Sequence, residues 1–224
     1  METAIWSDHE TDTRHRFDEW SESATFRRLR SWLAYLQDHC LQRIDWTRVT
    51  AVLDVACGSG RAVLLAAERL TAVPNGVACG CDISEGMLRQ RRDVEHPRAR
   101  FALASAQSLP HESASFDVIM CTAAFHHFPD PLQALREALR VLRPGGKLLI
   151  ADPCRDQSAL VWVWDRAHRW FEKGHVQYYR KDELRKLLQD AGFESISCEE
   201  LNPSFGEVRK LVRQAGLFSA RAPN

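Results

Sequence analysis

The apolar positions of the chain switch between two periods. Phe26, Leu29, Leu33, Leu36, Cys40 and Ile44 recur at steps of three and four, with Arg27, Arg28, Arg30, Gln37 and Asp38 between them, which predicts a helix with one buried stripe. From Val49 the period changes. Val49 to Ala56 is a short apolar, β-rich run that fits a strand buried on both faces. Cys57-Gly58-Ser59-Gly60 breaks it, and Val63, Leu64, Ala67 and Leu70 mark a helix. After the turn Pro74-Asn75-Gly76, Val77 to Ile83 is a second strand. Ser84 is placed to cap the helix that carries Met87 and Leu88, with Glu85 in its first turn. Arg100 to Ala104 and Ser115 to Cys121 read as the third and fourth strands. Asp130-Pro131 opens another helix, its buried stripe Leu132, Leu135, Leu139 and Leu142, with Gln133 where a capping box wants it. Pro144-Gly145-Gly146 ends that helix, and Lys147 to Ala151 is the fifth strand.

Repeated strand–helix alternation predicts an α/β fold with a mainly parallel sheet. After Asp152-Pro153 the rhythm loosens. Leu160, Val163, Trp164, Ala167 and Trp170 define one helix face, Arg180 to Gln189 is a helix ended by Gly192, and Phe193 to Leu201 and Leu217 to Ala220 are late strands. Met1 to about Thr13, polar and charged, reads as a mobile tail.

Composition adds exclusions. Of 224 residues, 45% are hydrophobic and 27% charged, an ordinary globular balance that excludes wholesale disorder. Lys+Arg and Asp+Glu are 30 each, so no global field draws the chain to nucleic acid or an anionic membrane. No apolar run nears the roughly 18–20 residues that span a bilayer. The start Met1-Glu2-Thr3-Ala4 lacks the basic end and apolar core of a signal peptide, and a cytoplasmic protein is expected. Seven cysteines, an odd number, fit reduced thiols; Cys79-Gly80-Cys81 has no second pair at zinc spacing, so no metal is expected.

The chemistry centres on Val52-Leu53-Asp54-Val55-Ala56-Cys57-Gly58-Ser59-Gly60, a strand ending in glycines before a helix. Asp82 ends the next strand, where an acid accepts two hydrogen bonds from a ribose diol. This is a nucleoside-binding arrangement. The dinucleotide fingerprint would put glycine where Val63 stands, and a branched side chain there opposes close helix–strand packing.

Leu53 to Gly60 resembles the first motif of class I S-adenosylmethionine-dependent methyltransferases, and Cys81-Asp82-Ile83-Ser84-Glu85-Gly86-Met87-Leu88 resembles their second. Ser108-Leu109-Pro110, Ser115 to Ile119, Phe125-His126-His127-Phe128-Pro129-Asp130-Pro131, Leu142 to Leu148 and Leu187 to Phe193 continue the series in order. The resemblance spans roughly Val49 to Glu199 and is nearest to the small-molecule methyltransferases related to those of quinone biosynthesis. It implies a Rossmann-like, seven-stranded, mostly parallel sheet with helices on both faces. An N-terminal tail and helical cap would occupy 1–48. The core would occupy 49–224, with an aromatic lid insert at about 154–180.

The resemblance also implies roles. Asp54, Ala56, Gly58 and Gly60 would shape the pocket for the methionine part of S-adenosylmethionine, Asp82 would bind the ribose, and Ile83 would pack on the adenine. Cys121 and Thr122 would line the sulfonium side, largely through backbone, with Ala106 and Gln107 bordering the adenine. Two residues depart from the family. Gly is frequent where Ala56 stands, and little harm is expected from so small a side chain. Asp is frequent where Ser105 stands, next to the adenine amino group, and the shorter, neutral serine lowers the expected cofactor affinity.

His126 and His127 stand at the mouth of the site, and Asp152 ends the fifth strand at the same sheet edge. One imidazole, oriented by Asp152, would take a proton from an acceptor; alternatively the pair only shapes the loop. His175 faces the acceptor or caps a local turn. All seven tryptophans lie in the N-terminal segment and the insert. Trp162, with Phe17, Trp20, Phe171, Tyr178 and Tyr179, would line an apolar pocket under a lid, or these residues form a subdomain core or dimer contact. Phe17-Asp18-Glu19-Trp20 resembles the helix that closes over the cofactor in relatives, although Ala24-Thr25 replace the aromatic residue usual a few places later.

The expected activity is methyl transfer to a small aromatic or apolar acceptor, O-methylation favoured over C or N, leaving S-adenosylhomocysteine, in a monomer or homodimer. Nucleic acid is not expected as substrate, because Cys121-Thr122-Ala123-Ala124 stands where base-amino methylases carry their Pro-Pro-aromatic motif. The alternatives are a dinucleotide oxidoreductase, opposed by Val63; an accessory subunit; and a cofactor-binding enzyme of another reaction, such as a cyclisation.

Overall fold

Ser7 and Glu10 start the first helix. The Glu10 N–H donates to the Ser7 hydroxyl (3.2 Å) and the Ser7 N–H to the Glu10 carboxylate (2.9 Å), closing a capping box. Helix α1 therefore runs Asp8–Ser21, which corrects the mobile tail expected from Met1 to about Thr13 over its part from Asp8 onward. The computed structural model describes residues 6–90, 95–157, 176–201 and 215–224, without the side chains of 24–26 and 28. Most of the expected aromatic insert, with Trp162 and His175, lies outside them.

Helix α2 (Ala24–Gln42) carries the predicted stripe, but the stripe divides. Leu36, Cys40 and Ile44 are in the core, whereas Leu33 faces a cavity. Strand β1 (Ala51–Val55) is buried throughout, as a central parallel strand should be. Then come α3 (Arg61–Arg69), β2 (Val77–Asp82), α4 (Glu85–Arg89), β3 (Ala99–Leu103) and β4 (Phe116–Thr122). Helix α5 (Pro131–Val141) starts as its sequence predicts, with the Asp130 carboxylate accepting the Gln133 N–H at 2.9 Å. The Gln133 side chain does not close the box; it donates to the Gln107 carbonyl at 3.3 Å.

Strand β5 runs Leu142–Pro153, well before the expected start at Lys147, because Leu142 already pairs with Phe116 across a bulge. Helix α6 (Lys181–Asp190), β6 (Glu194–Leu201) and β7 (Ala215–Arg221) complete the described elements.

The sheet order is β3-β2-β1-β4-β5-β7-β6. The first five strands are parallel, while β7 runs antiparallel to both β5 and β6. Chain order reverses between β1 and β4, and a crevice opens at their carboxyl ends. One face of the sheet is covered by α2 and α3, through Leu36, Ala62, Val63 and Ala66. The other is covered by α5 and α6, through Leu135, Ala138, Leu184 and Leu188. At the opposite end of the strands, Asp117 accepts hydrogen bonds from Thr50 N–H, Ala51 N–H and Arg143, tying the starts of β1, β4 and β5 together. Among the described residues, no helix is long and apolar enough to cross a membrane.

Candidate active site

The turn after β1 is built on left-handed backbone. Ala56, Gly58 and Gly60 have φ of 58°, 55° and 76°. Glycine adopts this region freely, while an L side chain such as Ala56 is strained there by about 1 kcal/mol. The turn is held from β2: the Gly58 N–H donates to one Asp82 carboxylate oxygen at 2.7 Å and the Ser84 N–H to the other at 2.8 Å. Burial, only partly offset by these backbone donors, pushes the Asp82 carboxyl up to about 6.

Asp54 lies behind the turn. It is 1% exposed, and neither carboxylate oxygen has a hydrogen-bond partner in the structure. Burial first, and the nearby Asp82 charge second, push its carboxyl well above the usual carboxylate range. A buried acid without a donor costs stability unless an incoming cation or donor satisfies it.

Around this turn lies a cavity of about 880 Å³. It is lined on the turn side by Ala56, Gly58 and Ser59, on the β2 side by Asp82 and Ile83, and after β3 by Ser105, Ala106 and Gln107. Thr122, Ala123 and His127 close the β4 side, and Leu33 and Leu64 extend it between α2 and α3. Helix α1 forms the cover: Glu10, Thr13, Phe17 and Trp20 all face the cavity. That cover is seated at two points. Glu10 accepts from the Ser105 hydroxyl and from Gln107 Nε2 (3.0 Å), and Asp18 Oδ1 accepts from Ser84 Oγ (2.6 Å) and the Gly86 N–H (2.7 Å). Gly86 allows the second contact, since a Cβ there would stand 2.9 Å from Asp18 Cα.

His126 and His127 form a single 3₁₀ turn after β4. His126 is 6% exposed, and its Nδ1 lies 3.0 Å from both oxygens of Asp152, itself 2% exposed. Asp152 also accepts the His126 N–H at 3.2 Å. The His126 carbonyl accepts N–H groups from Val176 and Gln177, and Tyr178 packs on its ring at 4.7 Å. His127 lies on the cavity side, its ring 4.0 Å from that of His126 and 5.0 Å, edge-on, from Phe17.

Several expected site residues sit elsewhere. Asp54 and Gly60 are not on the cavity wall, nor are His126 and Asp152. The Cys121 side chain points into the apolar core with Phe125 and Leu135, because neighbours on a strand face opposite sides and Thr122 takes the cavity side, which leaves Cys121 only the backbone role expected of it. Tyr178 and Tyr179, placed in an apolar acceptor pocket from sequence, are buried against His126 and Phe125, away from the cavity wall. Sequence reasoning missed Glu10, Thr13 and Asp18, although Ser7-Asp8-His9-Glu10 carries the capping-box spacing.

The residues present fit the cofactor that the motifs imply. An acid stands where a ribose diol needs one, an orphaned buried carboxylate lies behind the glycine turn, and Ser59 and Arg61 at the start of α3 line the cavity. A parallel sheet reversing between β1 and β4, with this turn and acid at its carboxyl edge, defines a class I S-adenosylmethionine-dependent methyltransferase. Residues 15–198 match the family model described as a methyltransferase domain, and the chain belongs to that family.

The 27-O-demethylrifamycin SV methyltransferase of Amycolatopsis mediterranei is 32% identical over 157 residues, which is 67% of this chain and 56% of that protein. The chain thus spans little more than half the length of this relative. The demethylmenaquinone methyltransferase of Oceanobacillus iheyensis is 22% identical over 82% of this chain and 84% of its own. Among solved structures, a chain of the complex between the Haloferax volcanii Trm112 methyltransferase activator and its methyltransferase shares the fold. Its TM-score is 0.74 at 21% identity, over 93% of this chain and 98% of that one.

Proposed function

We propose that the protein methylates a hydroxyl of a small, apolar or aromatic acceptor. The observation that carries this reading is the covered cavity, which joins a nucleoside-binding corner at Asp82 to an imidazole at His127 beneath Phe17. When bound, S-adenosylmethionine supplies a methyl carbon activated by a positive sulfur. The chain supplies position and environment. Asp82 would accept the ribose hydroxyls while holding the turn, and the start of α3 would serve the amino-acid end, with Asp54 behind the turn. Phe17 and Trp20 exclude water above the reacting atoms, which favours a desolvated oxygen nucleophile.

In this reading His127 would take the proton of the acceptor hydroxyl, leaving an oxygen nucleophile for the methyl group that the bound cofactor would supply. His126, pinned by Asp152, is a positioning residue that backs the His127 ring. Oxygen is favoured as the acceptor atom because the Amycolatopsis relative is named for an O-demethyl substrate.

The test is calorimetric titration with S-adenosylhomocysteine, with NADH as control, followed by transfer of labelled methyl to a panel of phenols and polyketide alcohols. Saturable binding of S-adenosylhomocysteine alone and label on oxygen are expected. Preference for NADH would overturn the reading, as would tight cofactor binding with no methyl transfer to any acceptor hydroxyl.

A further inference from the structure

The corner that the resemblance assigns to the adenine has no carboxylate on its strand side, where Ser105, Ala106 and Gln107 stand. Ser105 Oγ accepts the Gln107 N–H at 3.0 Å and donates its proton to Glu10. The Gln107 side-chain oxygen is taken by the Asp130 N–H at 2.7 Å, so this amide offers the cavity a donor. An exocyclic amine is itself a donor and needs an acceptor. Three carboxylates line the cavity among the described residues. Asp82 holds the glycine turn, and Glu68, on α3, lies 3.4 Å from His96. The third is Glu10, 7% exposed and set directly against Ser105 and Gln107.

Resting on the cofactor reading above, we propose that Glu10 recognises the exocyclic amine of the cofactor's adenine, so that base recognition and seating of α1 are one event. The two oxygens of Glu10 have separate tasks. Oε2 accepts from the Ser7 N–H and hydroxyl and fixes the start of α1. Oε1 faces the cavity corner, where its donors are the Ser105 hydroxyl and the Gln107 amide. The Ser105 hydroxyl rotates about a single bond, so an arriving amine can replace it without leaving the carboxylate unpaired. Burial raises the Glu10 carboxyl, but hydrogen bonds from Ser105, Ser7 and Gln107 outweigh it and keep the group below its ordinary value, hence ionised at neutral pH. The acid that Ser105 lacks thus comes from 95 residues earlier in the chain. It arrives on the element that covers the site, not on the sheet.

The experiment compares S-adenosylhomocysteine with S-inosylhomocysteine, in which a carbonyl replaces the amine. Both are titrated by calorimetry into the wild-type chain, Glu10→Gln, Glu10→Ala, and Glu10→Ala with Ser105→Asp, each checked for fold by circular dichroism. The wild type is expected to prefer the adenine compound by roughly 10- to 100-fold, the range of a hydrogen bond to a charged group. Glu10→Ala should lose that preference to within about threefold, and Ser105→Asp should restore it from the strand side. Equal weakening toward both compounds in Glu10→Ala would mean that Glu10 only docks the helix, and would overturn the proposal. Undiminished preference in Glu10→Ala would overturn it as well, with the cofactor reading intact. A wild-type chain that binds neither compound would remove both.

Discussion

Gly80 makes the room that Val63 needs. A Cβ on Gly80 would stand 2.7 Å from Val63 Cγ2 and 2.8 Å from Cys57 Sγ. The close approach of α3 to the sheet, which a dinucleotide site obtains from a glycine on the helix, is obtained here from a glycine on β2. Val63 is 1% exposed, so nothing on its far side can yield. Gly80→Ala should therefore destabilise the fold by about 1–3 kcal/mol, as overpacked cores do. Chemical denaturation of Gly80→Ala, Val63→Ala and the double variant measures this. A double variant no better than the sum of the singles would show that the two side chains do not compete.

Ala56 carries the opposite kind of strain. Its φ of 58° is a glycine conformation held by an alanine. Ala56→Gly is expected to stabilise the chain by a few tenths of a kcal/mol, the ~1 kcal/mol of relieved strain less the roughly 0.4–1 kcal/mol that glycine's freedom gives the unfolded state. The read-out is a denaturation midpoint moved up at unchanged slope; a drop would show that the methyl group packs favourably enough to outweigh the backbone strain.

Asp82 links binding to pH. Its carboxyl is raised to about 6, and the diol is expected to prefer the ionised acceptor, so affinity for S-adenosylhomocysteine should fall as pH drops below about 6. Fold stability runs the other way. Between 3.8 and about 6 the folded chain holds a proton that the unfolded chain has released, so stability declines as pH rises across that window. Titrations from pH 5 to 7.5, with Asp82→Ala alongside, test both. The variant should bind about 10- to 100-fold more weakly and lose the pH dependence. A flat wild-type profile would exclude Asp82 as the diol acceptor.

The two histidines separate by substitution. His127→Gln should lower kcat by about 100-fold or more at saturating cofactor while leaving S-adenosylhomocysteine affinity unchanged. Asp152→Asn should lower kcat less and displace the pH–rate profile, because it acts through His126. If His126→Gln alone abolishes turnover and His127→Gln does not, their roles are reversed.

How far all this could be read from the chain alone differs between residues. The strand into Gly58 and Gly60, and Asp82 one strand later, were legible because period and turn chemistry are local. The side of the sheet that Cys121 takes was legible in principle from strand alternation, once Thr122 was assigned to the cavity. The start of α1 carried a capping box, but a polar surface of low apolar content hid it. Glu10 as a wall of the site was not legible, because its meeting with Ser105 is made by tertiary docking alone. The same holds for Gly80, whose role exists only opposite Val63, and for Leu142, which joins β5 only by pairing with Phe116.

The order of the sheet bears on how the chain comes to be folded. Strand β7 is the last described strand in sequence, yet it lies between β5 and β6. During synthesis the five parallel strands can zip together while β6 has no neighbour to join. Until β7 emerges, β5 is an open edge and β6 a loose ribbon, both able to pair with another chain. The nucleoside corner, built from β1, β2 and the segment after β3, is complete before that last insertion. A nascent chain would thus acquire its ligand-binding half first and close the open flank of β5 last.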